Sequence, residues 1–196
     1  DPKPDEPSET GPDPIVRLIQ RLMRMLSTPL QEGPGYPVDA RLRPTGSYGP
    51  LVVTRRSWLE YYTQKADLWE IQALIRMRCV AGHRLLGCSI EEDAQSICFQ
   101  SRDPRTVWER QCHLRQRLQR ERAEEREGAI DIKMGEGGLV DLEFMVQGIQ
   151  MTEGHRDESL RVRSVREGLE PALEHLDLEP AAKREHVLAF RSLRAL

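Results

Sequence analysis

The sequence predicts a mostly α-helical protein, α+β overall, with one or two short strands confined to its first third. Two observations support this class. After Thr54 the apolar residues recur at helical spacing almost to the end of the chain, whereas residues 36–43 alternate with the two-residue period of a strand. The 196 residues are 38% hydrophobic and 31% charged, which suits one domain of ordinary size or two small ones.

Composition narrows the function classes. The net charge of −3 gives no basic excess, so we expect no nucleic-acid partner. No apolar run approaches the roughly 18 residues of a membrane-spanning helix, and the acidic start does not resemble a signal peptide. The sequence therefore predicts a cytoplasmic protein without a membrane partner. The four cysteines form no Cys-x-x-Cys pair and are expected to be buried free thiols.

The first elements follow from local signals. Residues 1–13 are acidic and rich in proline, which predicts a disordered or exposed segment, and the Asp-Pro start suggests a fragment of a longer chain. Residues 14–28 show an amphipathic helical period, with Asp13 as N-cap and Pro14 at the first helical position. Residues 36–43 and 51–54 are the two strand candidates, joined by a glycine-containing loop.

The remainder is predicted to be helical in seven segments. Ser57 is expected to cap the first of them, and Gly82 and Gly87 are expected to interrupt the pattern. The highly charged segment is expected to cross the surface or to bridge two parts of the protein. The segments are a first helix after Ser57, then 69–80, 90–99, 105–127, 139–150, 159–176 and 180–195.

The strand candidate 36–43 and the loop after it contain the highest density of residues that could bind a metal ion or a phosphate. The alternation over 36–43 places Asp39, Arg41 and Arg43 on one face. A carboxylate can bind Mg²⁺, arginines can bind phosphate oxygens, and the loop glycines Gly46 and Gly49 allow a backbone to approach a ligand closely. The alternative is a salt-bridged edge strand followed by a turn.

A second unusual stretch precedes the predicted helix at 139–150. Lys133 followed by Gly135, Gly137 and Gly138 resembles an anion-binding helix start. A tight turn into the helix explains the same glycines. Asp141 and Glu143 lie two residues apart on a helix and therefore diverge, so they are not a chelating pair.

Three blocks in order resemble the glutamine synthetase adenylyltransferase/deadenylylase family. The first is Val38-Asp-Ala-Arg-Leu-Arg-Pro-Thr-Gly-Ser-Tyr-Gly-Pro-Leu51. The second runs over 69–82, from Trp-Glu-x-Gln to Val-Ala-Gly. The third is Asp131-Ile-Lys-x-Gly-Glu-Gly-Gly-Leu-Val-Asp-Leu-Glu-Phe-x-x-Gln147.

This resemblance implies a part of a nucleotidyltransferase palm over 14–54 and a helical bundle domain over 55–196. It implies that Asp39 is a catalytic carboxylate and a metal ligand for Mg²⁺, with ATP as substrate. Arg41 and Arg43 would act in catalysis, and Gly46, Gly49, Lys133, Gly137 and Gly138 would contact the nucleotide. The family's Asp-x-Asp strand is absent, so the fragment alone is expected to be inactive.

Two functions remain open at this stage. The first is part of an enzyme that transfers AMP from ATP to a tyrosine of glutamine synthetase, or removes it by phosphorolysis. The second is a helical binding module that docks glutamine synthetase or a PII-type signal protein.

Overall fold

The structure, a computed structural model, describes residues 13–29, 31, 33–122 and 131–195. The predicted disordered segment 1–13 lies outside these residues except for Asp13. The described residues form eight α-helices and no strand, which confirms the mostly helical prediction. The helices are α1 (Pro14–Ser27), α2 (Arg55–Gln64), α3 (Leu68–Leu74), α4 (Arg84–Cys98), α5 (Pro104–Arg122), α6 (Leu139–Glu153), α7 (Val165–Glu174) and α8 (Pro180–Ala195).

The chain folds as two compact units, one up to Tyr61 and one from Tyr62 onward. In the first unit, α1 begins at the predicted cap, where the Asp13 carboxylate accepts a hydrogen bond of 2.8 Å from the Ile15 N–H. The helix ends at Ser27, and the Thr28 hydroxyl donates to the Arg24 carbonyl at 2.7 Å. The predicted helix 14–28 is therefore confirmed to within one residue.

Neither predicted strand forms. Residues 36–43 and 51–54 have no strand assignment, and in 36–43 two backbone groups bond to nearby side chains rather than to a neighbouring strand. The Arg41 N–H donates to its own neighbour Asp39, and the Ala40 carbonyl accepts from the Arg43 guanidinium. The palm assignment for 14–54 stays a prediction.

In the second unit, α6 lies at the centre and has eight buried residues. It packs against α5 on one side and α7 on another. The main core joins α6, α7 and α8 with residues that follow α6, and its buried members are Val146, Ile149, Leu160, Val165, Leu169, Ala172, Leu173 and Phe190. Gly148 brings α5 close to α6, since a Cβ there would lie 2.5 Å from the Trp108 ring.

The charged helix α5 is mostly exposed, as expected for a helix that crosses the surface, but one stripe of it is buried. Val107, Gln111 and Arg115 are 1%, 3% and 8% exposed, and their spacing of four residues forms one buried stripe. The apolar pattern of the sequence did not predict that Gln111 and Arg115 are buried. Arg115 is buried because it holds a loop described below, whereas Gln111 lies against Gly148 of α6 with neither amide atom hydrogen-bonded within the described residues.

Several boundaries differ from the sequence expectation. The cap of α2 is Thr54, whose hydroxyl accepts from the Ser57 N–H at 3.1 Å, rather than Ser57. Helix α3 ends at Leu74, six residues early, because the chain tightens into i→i−3 bonds such as the one of 2.9 Å from Met77 to Leu74. Helix α4 runs through Gly87 without a break, and the missing Cβ there makes room for the Cys79 sulfur.

The thiol prediction is correct for one cysteine only. All four cysteines are free, but Cys98 is buried while Cys79, Cys88 and Cys112 are exposed. Burial raises the pKa of the Cys98 thiol to about 12, so this group stays protonated at neutral pH.

Candidate functional site

Asp39 and Arg41 form a closed ion pair in the first unit. The Arg41 Nε lies 2.9 and 3.0 Å from the two Asp39 oxygens, and Nη2 lies 2.6 Å from Oδ2. The backbone N–H of Arg41 also donates to Oδ1 at 3.0 Å. The side chains are 56% and 67% exposed, so water competes with the pair. The two predicted site residues are thus brought together, with each group satisfying the other.

The Arg43 guanidinium holds its own loop. It donates to the carbonyls of Ala40 at 2.6 Å, Ser47 at 3.3 Å and Gly49 at 3.3 Å. A planar guanidinium with several donors suits this task. Arg43 is therefore a structural centre of the segment from 40 to 49.

The glycines of this loop are required by shape. Gly46 has a φ of +60°, which favours glycine. A Cβ on Gly49 would collide with the Pro44 carbonyl oxygen. Thr45 also adopts a left-handed φ of 60°, which is uncommon for a residue with a branched side chain. Such backbone strain is typical of functional loops.

The charge state of Asp39 follows from Arg41. Hydrogen bonds from the Arg41 side chain and backbone lower the pKa of Asp39 to about 2, so the carboxylate is ionised at any physiological pH. An ionised carboxylate is the form that binds a metal ion. However, no group of three or more acidic, histidine or cysteine side chains suited to a metal occurs in the described part of the chain. The Mg²⁺ assignment for Asp39 stays a prediction.

In the second unit, residues 131–141 form a tight loop into α6. The Asp131 carboxylate accepts from the N–H groups of Lys133 at 3.0 Å and Met134 at 2.8 Å. Arg115 of α5 donates through Nη2 to the carbonyls of Met134 at 3.0 Å and Gly135 at 2.8 Å. Its Nε donates to Asp141 at the start of α6. The loop is therefore fastened to both helices by one arginine.

Most backbone donors of this loop already have partners within the loop. The N–H of Gly137 donates to the Asp141 carboxylate at 2.7 Å, and the N–H groups of Leu139 and Val140 donate to carbonyls within 132–133. A Cβ on Gly138 would lie 2.7 Å from the Ile132 oxygen, so that glycine serves the tight turn. The exposed side chain of Lys133 is able to meet an anion.

Asp141 and Glu143 have separate partners, as their spacing predicts. Asp141 pairs with Arg115, and Glu143 pairs with Arg76 at 3.0 Å. Sequence reasoning missed Arg115 and Arg76 as site residues. The signal for Arg115 was its position eight residues after the buried Val107 on the same helix face, but charge alone argued for the surface.

The predicted site residues fall into both units. Asp39, Arg41, Arg43, Gly46 and Gly49 belong to the first unit. Lys133, Gly137 and Gly138 belong to the second.

Within the described residues, no helix has the length and apolar character needed to cross a membrane.

Two family models match the chain in sequence order. The model described as glutamate-ammonia ligase adenylyltransferase matches residues 8–93. The model described as GlnD PII-uridylyltransferase matches residues 107–194. The first match includes the Asp39 loop, and the second includes the loop that Arg115 fastens.

Similar curated proteins carry one name, bifunctional glutamine synthetase adenylyltransferase/adenylyl-removing enzyme. The protein from Nitrosococcus oceani is 38% identical over 151 residues, which is 74% of this chain and 16% of that protein. The protein from Streptomyces coelicolor is 36% identical over 84% of this chain and 17% of its own length. The protein from Shewanella oneidensis is 32% identical over 93% of this chain and 19% of its own length. The chain thus spans less than a fifth of these relatives, and it belongs to the glutamine synthetase adenylyltransferase family.

Proposed function

We propose that this chain contributes to an enzyme that transfers AMP from ATP to a tyrosine of glutamine synthetase, or removes that AMP by phosphorolysis. In the forward reaction, the phenol oxygen forms a bond to the α-phosphorus, the bond to pyrophosphate breaks, and the phenol proton is lost. In the reverse process, inorganic phosphate attacks the same phosphorus and releases ADP and free tyrosine. The names of the relatives support this reaction.

The observation that carries the proposal is the Asp39–Arg41 pair inside the matched segment. Asp39 is ionised and exposed, so it can supply one ligand of Mg²⁺ once further carboxylates join it. Arg41 is exposed and bonded to Asp39, so its guanidinium would be able to bind a phosphate oxygen when this pair opens. Mg²⁺ would supply charge stabilisation for the phosphates.

The other predicted residues shape the two loops or contact the nucleotide. Arg43 is proposed as a positioning residue, because it fixes the loop that carries Asp39. Gly46 and Gly49 shape that loop, and Gly137 and Gly138 shape the start of α6. Lys133 is proposed to meet the nucleotide through its ammonium group. We also propose that the segment alone is inactive, because one carboxylate does not hold a catalytic metal pair.

The test is AMP incorporation into glutamine synthetase by the complete protein that carries this sequence. Asp39→Asn should abolish transfer, and Arg41→Ala should slow it about a hundredfold, as loss of one charge-stabilising group does. Arg56→Ala is the matched control, since Arg56 is an exposed residue of α2 that pairs with Glu60. Unchanged rates in the Asp39 and Arg41 variants would refute the proposal.

A second candidate is a docking role for the helical unit. The match of 107–194 to the PII-uridylyltransferase model favours it. In that case this chain would bind glutamine synthetase or a PII-type protein without nucleotide, and Asp39→Asn would leave binding unchanged. Calorimetric titration of the chain with each protein, with and without ATP and Mg²⁺, separates the two candidates.

A further inference from the structure

Tyr48, in the loop that follows Asp39, is the most exposed tyrosine of the chain. The sequence contains four tyrosines. Tyr62 is 3% exposed and Tyr61 is half-buried, whereas Tyr36 and Tyr48 are 82% and 100% exposed. Because a tyrosine ring is largely apolar and usually buries part of its surface, a ring in full contact with solvent calls for a functional explanation.

The backbone of the turn that carries Tyr48 is held on both sides of this residue. The Arg43 guanidinium donates to the carbonyls of Ser47 and Gly49, each at 3.3 Å, and these two residues flank Tyr48. Within the turn, the Gly49 N–H donates to the Gly46 carbonyl at 3.3 Å. The backbone is therefore fixed while the side chain lies in solvent, so binding of the phenol in an active site would require little further ordering of the chain.

The sequence on both sides of Tyr48 is cationic. Residues 40–54 include Arg41 and Arg43 and contain no aspartate or glutamate. The three partners of the Arg43 guanidinium are neutral carbonyl groups, so they do not cancel its positive charge. Positive charge near an acceptor attracts a polyphosphate donor, whereas a carboxylate would repel it. The charge around Tyr48 therefore favours the approach of ATP.

We propose that Tyr48 accepts AMP, so that the complete protein modifies its own chain. This inference rests on the AMP transfer proposed above, whose acceptor is also a tyrosine, and adds an acceptor that belongs to this chain. The Tyr48 phenol oxygen forms a bond to the α-phosphorus of ATP, the bond from that phosphorus to pyrophosphate breaks, and the phenol proton passes to water. The product is a phosphodiester between Tyr48 and AMP.

The experiment incubates the complete protein with Mg²⁺ and ATP labelled at the α-phosphate, and locates the label by mass spectrometry of peptides. We expect one AMP group on Tyr48. Tyr48→Phe should lose this label completely, while its rate of AMP transfer to added glutamine synthetase stays at the wild-type value. ATP labelled at the γ-phosphate should leave no label, because that phosphate departs with pyrophosphate.

Two variants serve as controls. Tyr36→Phe is matched to Tyr48→Phe, because Tyr36 is also an exposed tyrosine of the first unit but precedes the turn that Arg43 holds, and it should keep the label on Tyr48. Asp39→Asn should lose the label, because Asp39 is the proposed metal ligand. A label on Tyr48 that persists in purified Asp39→Asn would overturn the inference, since another enzyme would then supply it.

The outcomes separate this inference from the proposed function. AMP on glutamine synthetase without AMP on Tyr48 would overturn the inference and leave the proposed function intact. A label spread equally over Tyr36 and Tyr48 would also overturn it, since modification would then follow exposure alone. AMP on Tyr48 without AMP on glutamine synthetase would support the inference and count against glutamine synthetase as the target. AMP on neither protein would refute both.

Discussion

Replacing Arg115 with leucine tests the central packing argument for the second unit. Arg115 is 8% exposed, and in the wild type it satisfies the carbonyls of Met134 and Gly135 as well as the Asp141 carboxylate. Leucine fills much of the space but leaves those acceptors without a donor. Losing one partner of a fully buried ion pair costs about 3–5 kcal/mol.

The expected magnitude is smaller here, because the Asp141 side chain is 37% exposed and water can rehydrate it. Hydrogen bonds to charged groups contribute about 1.5–3 kcal/mol, and we therefore expect Arg115→Leu to lower the free energy of unfolding by about 2–3 kcal/mol. With a urea dependence of about 2–3 kcal/mol per molar for a chain of this size, the midpoint should fall by about 1 M.

The assay is urea unfolding followed by tryptophan fluorescence, with hydrogen exchange as a local reading. The N–H of Gly137, which donates to Asp141, should exchange faster in the variant. Arg120→Leu is the control on the same helix, since Arg120 is exposed and should change the free energy of unfolding by less than about 0.5 kcal/mol. A loss in Arg115→Leu no larger than in the control would refute the reasoning.

Three further predictions concern packing, pH and capping. Gly148→Ala should lower the free energy of unfolding by about 1–3 kcal/mol through overpacking against Trp108, and a loss below about 0.5 kcal/mol in urea unfolding would contradict the close approach. The pKa of Asp157 is lowered to about 2, chiefly by its hydrogen bond to His175, so its stabilisation is present above pH 4 and is lost as pH falls toward 2; urea midpoints of Asp157→Asn should depend less on pH across that window than those of the wild type, and parallel curves would contradict this. Asp13→Ala should lower the stability of α1 by about 1 kcal/mol, read as lost helical circular dichroism, and an unchanged spectrum on heating would contradict the cap.

The helical spacing of apolar residues identified most of the helices, because a helix that buries one face needs apolar residues at that spacing. Helix α8 was predicted over its full range, and α1 to within a residue, since each has clear start signals and one apolar face. The end of α3 and the start of α4 were not predictable from the period. Helix α3 ends where the backbone tightens into i→i−3 bonds, and α4 starts after His83, whose ring nitrogen accepts from the Leu86 N–H at 3.3 Å. Local hydrogen bonds of this kind leave little trace in an apolar pattern.

The strand prediction failed for a different reason. Alternation over 36–43 is compatible with a strand, but pairing needs a neighbour, and in the structure the side chains of Asp39 and Arg43 satisfy local backbone groups instead. Sequence reasoning did identify the loop as chemically dense. It did not show which of its two arginines is structural, because both carry the same charge and donors.

The two loops are built in the same way. In each loop one guanidinium donates to backbone carbonyls, that of Arg43 in the first unit and that of Arg115 in the second. A neighbouring cation, Arg41 or Lys133, remains exposed. A rigid loop with close glycine turns needs such an internal donor, since its carbonyls cannot all reach water. The exposed cation is then the one available to a ligand. Loss of activity in Arg43→Ala would therefore report a collapsed loop, and only Arg41 and Lys133 variants, with the loop intact, test phosphate binding directly.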